Sequence, residues 1–68
     1  MNRAKRFVRK RFPYALAVQD VNGNWEILVA KGSRYIVSGQ QDEEAAWLAA
    51  ADRLNKVPKE AVIQFLSD

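Results

Sequence analysis

The chain has 68 residues, eleven of them Lys or Arg and eight Asp or Glu, and it contains neither cysteine nor histidine. One domain is the most such a length can build, and it buries only about 60% of the surface its unfolded form exposes. Disulfides, thiolate nucleophiles, imidazole bases, the Ser-His-Asp triad and the commonest structural metal sites are excluded.

The net charge of +3 conceals a division. Residues 1–12 hold Arg3, Lys5, Arg6, Arg9, Lys10 and Arg11 with no acid, a local charge of +6, while the other five basic and eight acidic residues leave −3. A basic segment on a mildly acidic body points to an anionic partner. Within that segment Met1, Ala4, Phe7, Val8 and Phe12 recur at helical spacing, which predicts a short amphipathic helix or arm. Pro13 biases Phe12 away from helical geometry and should end it.

Tyr14 to Gln19 alternates large and small side chains and predicts a strand whose core face is Tyr14, Leu16 and Val18. Asn22-Gly23 tolerates positive φ at both central turn positions and predicts a hairpin into a second strand, Trp25 to Ala30, with Trp25, Ile27 and Val29 on that core face. Lys31-Gly32-Ser33 supplies a second turn, and Arg34 to Ser38 a third strand closed by Gly39. Asp42-Glu43-Glu44 then complements the positive end of a helix over 42–55, with Trp47, Ala50, Ala51 and Leu54 on one face and Leu48 beside it. Pro58 suits the first position of a last helix over 58–66, presenting Ala61, Val62, Phe65 and Leu66.

No residues here assemble a common catalytic engine, so the chain is not expected to be an enzyme on its own. The serines lack an activating partner, and the acidic run 42–44 lacks calcium-loop spacing, so neither a cofactor nor a metal is expected. No secretory signal or membrane span is expected either, the longest uncharged apolar run being Ala45 to Ala51, and the expected location is cytoplasmic. The basic segment is the conspicuous signal. Six cations repel one another unless an anion lies near, and each phosphate they neutralise releases counterions. A solvated helix face is the bland alternative, and a basic helix on an anionic membrane surface is a weaker one. Trp25 and Tyr35 are candidates for stacking on bases and Arg34 for a phosphate contact, Trp25 being the more readily explained as core.

Trp25 opening a strand, Arg34 entering the next, Gly39 closing it and Glu43-Glu44-Ala45-Ala46 starting an alanine-rich helix give residues 25–55 a resemblance to the three-stranded DNA-binding domain of plant ethylene-response factors and the arm-type DNA-binding domains of phage integrases. That resemblance implies a sheet that meets the DNA major groove. The order helix, three strands, helix, with Ala45, Ala49 and Ala50 in the last helix, is also similar to the double-stranded RNA-binding domain, which implies a duplex RNA partner.

The reading is a single α+β domain: a three-stranded antiparallel meander over 14–38, packed by an alanine-rich helix, with a basic N-terminal helix or arm and a short C-terminal helix. Its expected role is that of a small accessory or regulatory nucleic-acid-binding protein, with Arg3, Lys5, Arg6, Arg9, Lys10, Arg11 and Arg34 on phosphates. The alternative is a protein-interaction module, an adaptor, inhibitor or homodimer, that uses an outer sheet face of Ala15, Ala17, Leu28 and Ala30 or the C-terminal Val62, Phe65 and Leu66.

Overall fold

The computed structural model describes residues 3–56. Their order is α1 (Arg3–Arg11), β1 (Leu16–Gln19), β2 (Trp25–Leu28), β3 (Tyr35–Gln40) and α2 (Glu43–Lys56). The strands form one sheet in the order β1-β2-β3 with both pairings antiparallel, the α+β meander expected from the sequence. The helix expected over 58–66 lies outside the described residues.

α1 is a docked helix and not a loose arm. Ala4, Val8 and Phe12 follow one another at intervals of one turn, and all three are buried against the common core. The helix closes where Pro13 intervenes: the Phe12 N–H still donates to the Val8 carbonyl at 2.8 Å, and the Ala15 N–H turns back to the Phe12 carbonyl at 2.9 Å. That turn takes up Pro13 and Tyr14, so β1 begins at Leu16, later than expected.

The first hairpin fixes which side of β1 meets the core. The Asp20 carboxylate accepts the N–H groups of Asn22 at 2.8 Å and Asn24 at 3.0 Å, while the Gly23 N–H donates to the Asp20 carbonyl at 3.0 Å. Within residues 20–24 Gly23 alone has positive φ, +86°, so the connection is a type I turn followed by a left-handed glycine and not the two-residue turn expected at Asn22-Gly23. Pairing therefore begins at Gln19↔Trp25 and places Ala17 opposite Ile27 and Leu16 opposite Leu28. Such a one-residue change of register turns every side chain of a strand over. Contrary to the expected facing, Ala15 is buried and Ala17 packs on the core, whereas Leu16 and Val18 lie on the outer side with Glu26, Leu28 and Tyr35.

β2 ends at Leu28, short of the expected Ala30, because Ala30 opens the next turn, in which the Ser33 N–H donates to its carbonyl at 3.0 Å and Gly32 sits at φ +73°. β3 then runs past the expected stop at Ser38 to Gln40. Its register against β2 shifts twice, from Leu28↔Tyr35 to Ile27↔Val37 and on to Trp25↔Gln40, so β3 carries an extra residue at each step. These bulges let the consecutive residues Ile36 and Val37 both be buried, which a regular strand would forbid, and the second accommodates Gly39 at φ +71°.

α2 starts at a capped end: the Ala45 N–H donates to Asp42 Oδ1 at 2.7 Å. It packs across all three strands, Ala46 and Ala50 allowing a close approach while Trp47 and Leu54 fill the remaining space, and α1 lies along it. Ala51, expected on this face, is half-buried, whereas Ala46, not expected on it, is fully buried. Truncating a core aromatic such as Phe12 or Trp47 to alanine costs about 3–5 kcal/mol, a large share of what so short a chain has.

Candidate nucleic-acid interface

Helical geometry sorts the six cations of α1 into three groups. Opposite the buried line of Ala4, Val8 and Phe12 stand Arg3, Arg6 and Lys10, all exposed, one turn apart along an outward ridge. On one flank, Lys5 and Arg9 face Trp47 of α2, the Lys5 ammonium 5.6 Å and the Arg9 guanidinium 5.7 Å from the indole centroid. On the other flank, Arg11 lies over the Phe7 ring at 4.0 Å. Cations at such distances are drawn to the electron-rich ring faces, so Lys5 and Arg9 help hold α1 against α2, while the Arg11 contact with Phe7 stays within α1. The Trp47 N–H donates to Glu43 Oε2 at 3.0 Å, which sets a carboxylate at the edge of the ring whose face receives the cations.

Past the end of α1 the chain forms a second basic region. Arg9 Nε donates to the Ala15 carbonyl at 3.0 Å, tying α1 to the segment that enters β1. Arg9, Pro13, Tyr14, Ala15, Leu16, Ala30 and Lys31 line a shallow depression between this segment and the β2–β3 turn. Arg34 leaves the same turn, its carbonyl accepting the Val29 N–H at 3.0 Å, and its side chain is exposed. The seven basic residues expected to contact phosphates thus divide into the ridge, the packed flanks of α1 and, with Arg34, the adjacent end of the sheet.

Of the aromatic candidates, Trp25 is half-buried and packs on the core, while Tyr35 is 53% exposed on the outer sheet side opposite Leu28. Tyr14 and Lys31 were not among the expected site residues. Tyr14, expected in the strand core, is 81% exposed, and the available signal was Pro13, which favours a turn over a strand for the residue that follows it.

The outer side of the sheet carries Leu16, Val18, Glu26, Leu28 and Tyr35, a surface without a basic residue among them. Ala15 and Ala17, expected there, belong to the core side. Among the described residues no helix is long and apolar enough to cross a membrane.

No family model matches the chain, and no curated or solved protein does so at a significant level.

Proposed function

We propose that the chain is a nucleic-acid-binding module that grips phosphates with the outward ridge of α1. The observation that carries this reading is the fixed presentation of Arg3, Arg6 and Lys10 on one face of a helix whose opposite face is buried. A ridge held in place this way keeps three cations close together in the absence of any partner, and a polyanion relieves their mutual repulsion while releasing its own counterions. Phosphate contacts of this kind position a protein without reading sequence, which suits an accessory or regulatory role.

Deleting α1 would strip Ala4 and Val8 from the core, so the test is charge removal within the intact helix. The triple variant R3Q/R6Q/K10Q should keep its circular dichroism spectrum yet bind labelled oligonucleotides more weakly in fluorescence anisotropy. The slope of log affinity against log salt should fall in magnitude by about 2 to 3. An unchanged affinity and slope would remove the ridge from the interface.

A second reading rests on the outer side of the sheet, where the register of the first hairpin sets Leu16 and Val18 beside Leu28 in place of the small Ala15 and Ala17 expected there. Side chains of this size beside the exposed ring of Tyr35 suit a protein partner or a second copy of the chain.

A further inference from the structure

The ridge leaves Tyr14 without a role. Its ring stands in solvent at 81% exposure, on a turn held between the end of α1 and the start of β1. Beside it lies the depression floored by Ala15, Leu16 and Ala30 and rimmed by Arg9 and Lys31. Arg9 is not a swinging side chain there: its Nε is spent on the Ala15 carbonyl at 3.0 Å, which fixes the guanidinium at the rim with its terminal nitrogens still able to donate. Arg6 precedes Arg9 by one helical turn, so the ridge leads directly to the rim.

A flat exposed ring, an apolar floor and two cations at the rim match the chemistry of one nucleotide: a base with a π face and a phosphate beside it. We infer that the depression takes an unpaired nucleobase stacked on Tyr14, with an adjoining phosphate at Arg9 or Lys31, and that the polyanion gripped by α1 is single-stranded where it crosses this end of the sheet. The inference rests on the phosphate-binding reading of α1 and names its substrate class. Bases within a duplex are stacked on one another and show only their edges in the grooves, so Tyr14 distinguishes single strands from duplexes.

The test compares the wild-type chain with Tyr14→Ala and Tyr14→Trp by fluorescence anisotropy at one low salt concentration. The probes are a labelled oligothymidylate, a strand of equal length made of abasic sites and a hairpin duplex. Tyr14→Ala should weaken binding of oligothymidylate by roughly tenfold while changing the abasic strand and the duplex by less than about twofold. Tyr14→Trp should restore or tighten the first. Because the ring is exposed, both variants should retain the wild-type melting temperature. Equal oligothymidylate affinity for wild type and Tyr14→Ala, with all three probes still bound, overturns this inference and leaves the ridge standing. Failure of the wild-type chain to bind any probe overturns the ridge, and this inference with it.

Discussion

Gly23 holds its backbone at φ +86°, and the space around it is open enough that an added Cβ would meet nothing closer than the Gln19 amide nitrogen at 3.7 Å. The demand for glycine there is therefore conformational and not steric: an L residue in the left-handed region loses about 1–2 kcal/mol. Gly23→Ala should lower the free energy of unfolding by that amount in urea titration, and Gly23→Asn by less. The position of this turn was legible in the sequence as Asn22-Gly23, but its length was not, since the same dipeptide serves two kinds of hairpin. The Asp20 carboxylate, bonded to the Asn22 and Asn24 N–H groups, decides between them, and with that decision Leu16 and Val18 pass from the expected core to the outer side. The six cations of α1 were equally plain as a cluster. Their division was hidden because the ring that engages Lys5 and Arg9 belongs to Trp47, a partner only tertiary packing supplies.

At the scale of elements, α2 was the most legible part, because alanine-rich composition and an acidic first turn both speak for the same helix. Asp42 is the cap, accepting the Ala45 N–H at 2.7 Å, and Glu43 adds a favourable charge at the positive end while accepting the Trp47 N–H. Asp42→Ala should cost about 1 kcal/mol, read as a lower midpoint in thermal denaturation, with Asp42→Asn close to wild type. β3 was less legible. A strand of period two cannot bury Ile36 and Val37 together, and only the register shifts against β2 explain how this one does. Where the first strand began was obscured in the same way, by a turn through Pro13 and Tyr14 that alternation of large and small side chains alone does not reveal.

The molecule as a whole separates its surfaces by chemistry. Among the described residues, the ridge of α1 and the end of the sheet near Lys31 and Arg34 carry cations, whereas the outer side of the sheet is apolar around the Glu26 carboxylate. If that side meets a second copy of the chain, sedimentation velocity at rising concentration should show a dimer in the wild type and a monomer for Leu28→Glu. A wild-type chain that stays monomeric throughout removes self-association from the second reading. Such contact would have to be made through the flat of the sheet, because its margins are poorly made for pairing. β1 is only four residues long. Along the other margin β3 is interrupted by the two bulges that let its consecutive aliphatic residues turn inward. An added strand needs an unbroken row of outward N–H and C=O groups, and a bulged margin presents that row out of step. The irregularity that completes the core therefore also works against strand-by-strand growth into fibrils.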